Sequence, residues 1–156
     1  MDDQGGGRDP ADLAREIIDA NRYMTLATAD GDGRPWATPV WYAHRGYSEL
    51  FWVSRPAARH SRNLAVRPEV GIVIFDSTVP EGEGQAVYLE ALAAEVGGAD
   101  REQGIAVISR RSEAHGAARW EVADVTAPAA LRCYRARASA HFVLDDHDQR
   151  LAVRLG

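Results

Sequence analysis

The segment that decides the fold is 35–76, which reads PWATPVWYAHRGYSELFWVSRPAARHSRNLAVRPEVGIVIFD. The runs 36–42 and 50–53 are rich in aromatic and β-branched residues, which predicts two neighbouring strands. The next residues, 54–56, are Ser-Arg-Pro, which predicts the end of a strand and a short helix with proline in its first turn. That helix must end before Pro68, and the apolar run 70–75 predicts the following strand.

The same alternation of strands and helices continues on both sides of this segment. Asp9-Pro10 is typical of a helix start and predicts a helix over 10–21. Pro39 indicates that the strand holding it lies at an edge or a bulge. The other predicted elements are strands at 23–28, 85–96, 130–137, 140–145 and 151–155, and a helix at 100–115. This order predicts a mainly β protein, a closed or half-closed antiparallel barrel with peripheral α-helices, and disfavours alternating βαβ units.

Length and composition limit the class of protein. The chain has 156 residues, 46% apolar and 26% charged, which fits one globular domain at 9–156 behind a Gly-rich, polar tail at 1–8 that we expect to be disordered. A net charge of −5 argues against nucleic acid as the main partner. No apolar run approaches the roughly 20 residues that cross a membrane, and the first residues lack the order of a signal peptide, so we expect a cytoplasmic protein.

The predicted helix after residue 54 carries Arg59, His60 and Arg62 in its first turns. A helix N-terminus offers unpaired N–H groups and a partial positive charge, and arginine adds paired donors. Every basic residue of the chain is arginine, with no lysine. This region therefore suits a phosphate or another anion. On periodicity alone, a solvated basic helix face explains it equally well.

Other candidate sites carry weaker signals. Asp145, Asp146, His147 and Asp148 are all capable metal ligands, but four adjacent residues of a tight turn do not easily converge on one ion, so we expect a solvated turn and no metal site. The single cysteine, Cys133, lies in an alternating strand and is expected to be packed. No nucleophile elbow or nucleotide phosphate loop is present, so no catalytic residue is assigned.

Several of these segments, in this order, resemble the pyridoxamine 5′-phosphate oxidase family of FMN-binding split-barrel proteins. The resemblance covers the run 52–75, the opening strand pair 24–42 and the strand that begins Gln85-Ala86-Val87. It implies an antiparallel split barrel of the FMN-binding type, a homodimer and two FMN molecules at the dimer interface. By the same resemblance, Arg59 and His60 contact the phosphate, and Val53 and Ser54 lie along the ribityl chain or the phosphate.

The resemblance also places residues near the flavin ring. Residues Thr38, Pro39 and Val40 would run beside the ring, and Gln85 would reach the flavin or its phosphate from a neighbouring strand. His60 departs from the family, which often has lysine there, and a neutral imidazole supplies less charge.

The end of the chain departs further from the family. Residues 141–155 do not reproduce the segment with which the true oxidases hold pyridoxal phosphate, so vitamin B6 oxidation is not expected. The chain resembles the shorter relatives instead. We therefore expect an FMN-binding oxidoreductase acting on a small molecule. The alternatives are a deazaflavin-dependent reductase on the same fold and a non-catalytic protein that binds flavin or haem.

Overall fold

The computed structural model describes residues 7–145 and 147–156, and eight strands of that part form one antiparallel sheet. The strands occur in the order β2-β1-β5-β6-β7-β4-β3, and β8 pairs with β7. Their bounds are β1 Tyr23–Ala29, β2 Pro35–Trp41, β3 Ala43–Arg45, β4 Glu49–Ser54, β5 Glu69–Phe75, β6 Ala86–Glu95, β7 Arg132–Leu144 and β8 Arg150–Val153. The sheet curls into a half-barrel, which confirms the predicted split-barrel class.

The inner face of the barrel follows from the period-two pattern of its strands. Register pairs Leu26 with Ile72 and Ile72 with Leu89, so these side chains form one row across β1, β5 and β6. All three are at most 3% exposed and belong to the main apolar core. A slip of one residue in any strand would turn its apolar set toward solvent, so this row fixes the register.

Three helices cover the barrel: α1 Pro10–Ala20, α2 Arg59–Val66 and α3 Gly98–Ala114. The Asp9 side chain accepts a hydrogen bond from the Ala11 N–H, which confirms the predicted helix start. On α3, Ile105 and Ile108 are buried against β3, β4 and β7 in a second apolar cluster. None of the helices in the described part of the chain is long and apolar enough to cross a membrane.

The predicted start of α2 was wrong by several residues. The helix begins at Arg59, with Ala58 as its N-cap, and not at 54–56. The Ala58 N–H donates to the Arg55 carbonyl at 3.1 Å, so Pro56 takes the second position of a turn. Proline suits that position as well as it suits a first helical turn, and the sequence alone does not separate the two.

Two predicted strands, 130–137 and 140–145, are one 13-residue strand, β7. The pairing with β6 shifts between Glu90 and Ala91, which face Ala140 and Ala138. Ser139 is thus the extra residue of a bulge, and its hydroxyl donates to the Glu90 carbonyl at 3.2 Å. The bulge keeps the strand continuous across the predicted break.

Two other expectations concern the edge of the sheet and the tail. β2 is an end strand of the sheet order, which confirms the edge position predicted from Pro39. Residues 1–6 of the predicted tail lie outside the described residues, and Arg8 forms an ion pair with Glu16 of α1 at 2.8 Å.

A candidate cofactor cleft

A cleft of about 500 Å³ opens between the barrel and α3. Its barrel side is formed by the last residues of β2 and β4 and by the start of α2. Its other side is formed by α3 and the segment that follows this helix. The lining residues are Pro39, Val40, Trp41, Val53, Ser54, His60, Ile108, Ser112, Ala117, Trp120 and Leu131.

A serine and a histidine meet at the polar end of this cleft. Ser54 is the last residue of β4 and His60 is the second residue of α2, and the His60 Nε2 lies 2.8 Å from the Ser54 Oγ. The side chain of His60 is half-buried, and desolvation lowers its pKa below the ordinary 6.5. The imidazole is therefore neutral at pH 7 and presents one N–H donor and one acceptor.

The N-terminus of α2 lies beside this pair. Its N-cap, Ala58, has no side chain that can accept the first-turn N–H groups, and no side chain bonds them from elsewhere as a cap. These N–H groups and the helix dipole favour an anion at this end of the cleft.

Arg59 begins the same helix but faces away from the cleft. Its guanidinium carbon lies 4.3 Å from the centre of the Trp36 ring, in a cation–π contact on the surface. Trp36 is 41% exposed on the edge strand β2. Arg59 is thus next in sequence to the residues at the polar end of the cleft, but its guanidinium stacks on Trp36.

The wall opposite the barrel is fixed by two buried serines of α3. The Ser109 Oγ donates to the Trp120 carbonyl at 2.6 Å and lies 3.0 Å from the Trp120 N–H, which donates to it. The Ser112 Oγ donates to the Ala118 carbonyl at 2.7 Å. These bonds attach the loop after α3 to the helix, and they hold the Trp120 backbone in one position.

Five of the eight residues expected from the sequence line this cleft together: Pro39, Val40, Val53, Ser54 and His60. Thr38 is half-buried on β2 without lining the cleft, and Arg59 faces Trp36. Gln85 is exposed just before β6. Two strands, β1 and β5, lie between β6 and the cleft strand β2, so Gln85 borders Gly84 and Leu144 and not the cleft.

The sequence did not identify the α3 side of the cleft. Ile108 was expected only as a helix core residue, Trp120 as a core residue with cofactor stacking as an alternative, and Ser112 and Leu131 were given no site role. The signal available was a pair of serines on the buried face of a predicted helix, since buried hydroxyls need partners. Nothing in the sequence says that those partners are carbonyls of a cleft wall.

The remaining candidates have structural roles. Cys133 is fully buried between β4 and α3, and burial raises its pKa to about 12. The Asp145 carboxylate accepts the N–H groups of His147 and Gln149 at 2.8 Å, within the turn between β7 and β8. Asp146 lies outside the described residues, and the residues that are described contain no cluster of three potential metal ligands.

Comparison with known families supports the assignment that the sequence suggested. The family model for pyridoxamine 5′-phosphate oxidase matches residues 11–148. The chain belongs to this family. No curated protein matches it.

Several solved structures share the fold at low sequence identity. A heme binding protein from Mycobacterium smegmatis is 20% identical with a TM-score of 0.72; the match covers 94% of this chain and 58% of that one. The heme storage protein HutZ from Vibrio cholerae is 22% identical with a TM-score of 0.70, over 87% of this chain and 95% of that one. An F420 reductase is 20% identical with a TM-score of 0.55, over 76% and 87%.

Proposed function

We propose that this member of the pyridoxamine 5′-phosphate oxidase family binds FMN in the cleft and acts as an oxidoreductase on a small molecule. The observation that carries the proposal is the division of the cleft into two ends. One end offers Ser54, His60 and the N–H groups of α2, and the barrel side beyond it is lined by the apolar residues Pro39, Val40 and Val53. A flavin mononucleotide has the same division between its phosphate and its ring.

The residues present fit each part of FMN. The hydrogen-bonded Ser54–His60 pair keeps one free donor, either the Ser54 hydroxyl or the Nδ1–H of His60, and the first turn of α2 adds backbone N–H groups, all suited to a phosphate. Pro39 and Val40 on the edge strand offer apolar contact and backbone groups to the ring. When bound, FMN supplies reversible uptake of two electrons, while the protein contributes binding, orientation and exclusion of water.

The charges around the cleft favour FMN over a deazaflavin with a longer anionic tail. Such a tail needs several cations, whereas the start of α2 offers one, Arg59, which stacks on Trp36, and Arg132 donates to the Ala129 and Leu131 carbonyls. A haem needs an axial ligand, and the histidine of the cleft, His60, is bonded to Ser54. To bind haem iron, His60 would therefore have to give up its hydrogen bond to Ser54.

The proposal is tested by offering the purified protein FMN, riboflavin, a deazaflavin and haem separately. Flavin binding is followed by fluorescence quenching and haem binding by the Soret band. We expect FMN to bind most tightly, riboflavin more weakly because it lacks the phosphate, and the bound flavin to cycle between oxidised and reduced forms. Saturable haem binding that His60→Ala abolishes, together with no FMN binding, would contradict the proposal.

We propose further that the protein is a homodimer that buries the outer face of the sheet. Register places Pro39, Thr25, Val73, Tyr88 and Phe142 in one row across five strands of this face. This row has no charged side chain. Exposed Phe75, two residues beyond Val73 on β5, extends this apolar surface. Contiguous apolar surface of this kind is typical of interfaces, and closed two-fold pairing is the commonest way to cover it.

The dimer also gives Gln85 a place in the proposal. Gln85 precedes β6 and lies outside the cleft of its own chain. In the proposed dimer, Gln85 of one copy contacts the cofactor of the other. The site is then complete only in the pair.

A further inference from the structure

The α3 side of the cleft is aromatic and carries no charge. Trp120 contributes an indole ring, and Ile108 and Leu131 contribute aliphatic side chains, while Trp41 of β2 adds a second ring from the barrel side of the cleft. Among all the described residues that line the cleft, none is Arg, Lys, Asp or Glu. Away from the Ser54–His60 end, the polar side-chain groups are the hydroxyl of Ser112, which donates to the Ala118 carbonyl, and the indole N–H groups of the two tryptophans.

Arginines near this wall are engaged elsewhere. Arg111 of α3 donates to the Asn21 carbonyl at 2.7 Å and lies over the Tyr42 ring. Arg132 donates to the Ala129 and Leu131 carbonyls of its own loop. An anionic group placed against Trp120 would therefore lose water while these two arginines stay bonded elsewhere, which is unfavourable.

Trp120 is held rigidly at this wall. Ser109, only 3% exposed, bonds both the N–H and the carbonyl of Trp120, so the backbone at this position has no free polar group. A ring on a fixed backbone loses little entropy when a ligand packs against it. The position therefore suits recognition of a flat molecule more than it suits a mobile lid.

We propose that the wall around Trp120 binds an uncharged, planar aromatic molecule beside the cofactor and that Trp120 selects this class of substrate. This rests on the proposed function, because it names the substrate class of the same cleft. The wall rejects phosphorylated substrates such as pyridoxal phosphate, because their charge finds no partner there.

Two ligands with the same ring test the proposal: 2-methyl-1,4-naphthoquinone, which is uncharged, and 1,4-naphthoquinone-2-sulfonate, which is anionic. Equilibrium dialysis measures the binding of each, with and without saturating FMN. We expect the uncharged ligand to bind at least about tenfold more tightly, and to bind whether or not FMN is present. Equal affinities, no binding of the uncharged ligand, or its displacement by FMN would overturn the proposal.

Substitutions at the wall locate the contact. W120A should weaken binding of the uncharged ligand about tenfold, and W120F should weaken it less than about threefold. Leu151→Ala, which truncates an exposed apolar residue of β8 outside the cleft, should leave binding unchanged. W120F keeps the test valid if W120A unfolds, and a loss in W120F as large as in W120A would count against selection by an aromatic ring.

The same measurements separate this inference from the proposed function. FMN affinity is recorded for every variant, and we expect W120A to keep the wild-type value. A wild-type protein that binds the uncharged ligand and not FMN would defeat the cofactor proposal and leave the wall assignment standing. A protein that binds FMN but has equal affinity for the two naphthoquinones would defeat the wall assignment and leave the cofactor proposal standing.

Discussion

Arg59 is the side chain whose role changes most between the unbound protein and the proposed complex. It stacks on Trp36 without ligand, and a cation–π contact at an exposed site is worth about 0.5–1 kcal/mol. A charge-assisted bond to phosphate is worth about 1.5–3 kcal/mol, so moving from Trp36 to the phosphate is favourable. We predict that Arg59→Ala lowers FMN affinity about tenfold and leaves riboflavin affinity unchanged.

Fluorescence titration with both flavins checks this prediction. Arg62→Ala is the control, because Arg62 lies on the same helix and donates to the Ala57 carbonyl outside the cleft. Equal losses for both flavins at Arg59→Ala would indicate a folding defect. Unchanged FMN affinity would mean that Arg59 stays on Trp36 and that Ser54, His60 and the helix N–H groups hold the phosphate without it.

His60 should make FMN binding depend on pH. Its lowered pKa, caused by desolvation, keeps it neutral at pH 7, and a bound phosphate dianion favours the imidazolium. FMN binding then takes up a proton. We therefore predict that the ratio of the FMN affinity of the wild type to that of His60→Gln rises as the pH falls from about 8 to about 6. The ratio removes the titration of the phosphate itself, and riboflavin should give a flat ratio. A flat ratio for FMN would exclude a phosphate contact of His60.

The same histidine has the opposite effect on the protein without ligand. Its folded pKa lies below the unfolded value, so the unfolded chain takes up the proton first. Stability is fully present above about pH 6.5 and is lost as the pH falls through the folded pKa. Urea unfolding should therefore show His60→Gln less sensitive to acid than the wild type. Equal sensitivity would mean that burial of His60 does not contribute to acid unfolding.

Helix α3 positions the cleft wall, and its distance from the barrel is set by Gly104. A Cβ on this residue would lie 2.8 Å from the Phe51 Cδ1 and 3.1 Å from the Cys133 Sγ. Alanine would gain about 1 kcal/mol in helix propensity, but overpacking a core costs about 1–3 kcal/mol. We predict that Gly104→Ala destabilises the protein by about 1 kcal/mol net and weakens ligand binding at Trp120 by moving α3 outward.

Urea unfolding of the Gly104→Ala and Phe51→Leu single variants and of the double variant tests the cause. Leucine at position 51 removes the ring atoms that the new methyl group would meet. The double variant should thus be more stable than the sum of the single effects predicts. Additive effects would show that the contact with Phe51 does not limit the approach of α3.

The elements that sequence reasoning located well are those whose periodicity and flanking residues agree. The helix after Asp9, the strand ending at Phe75 and the edge position of Pro39 all have such agreement. The start of α2 and the continuity of β7 depend on one turn and one bulged residue, which local propensity does not specify. Half of the cleft was missed for a related reason, because the bonds of Ser109 and Ser112 become visible only once the segment after α3 has folded back.

The proposed dimer depends on the outer face of the sheet. Two rows cross it: Pro39, Thr25, Val73, Tyr88 and Phe142, and Ala37, Ala27, Gly71, Glu90 and Ala140. Small and apolar side chains dominate both rows, and Glu90 is the one charged residue in them. Apolar sheet surface of this kind is typical of interfaces, and two-fold pairing is the commonest way to cover it.

Phe75 is the exposed apolar residue best suited to test this pairing. It is 47% exposed at the end of β5, so glutamate there should leave the fold of the single chain intact while burying a charge in the dimer. We predict that the wild type sediments with about twice the 17.0 kDa chain mass and that Phe75→Glu weakens dimerisation at least about 100-fold. Val66→Glu is the control, since Val66 is 70% exposed at the end of α2 and away from this face.

Because Gln85 is proposed to complete the cleft of the other copy, Phe75→Glu should also weaken FMN binding, and raising the protein concentration should restore it. Sedimentation velocity and flavin titration across a concentration series measure both effects together. A Phe75→Glu monomer with wild-type FMN affinity would confine the site to one chain, and a wild-type monomer would remove the role proposed for the outer face.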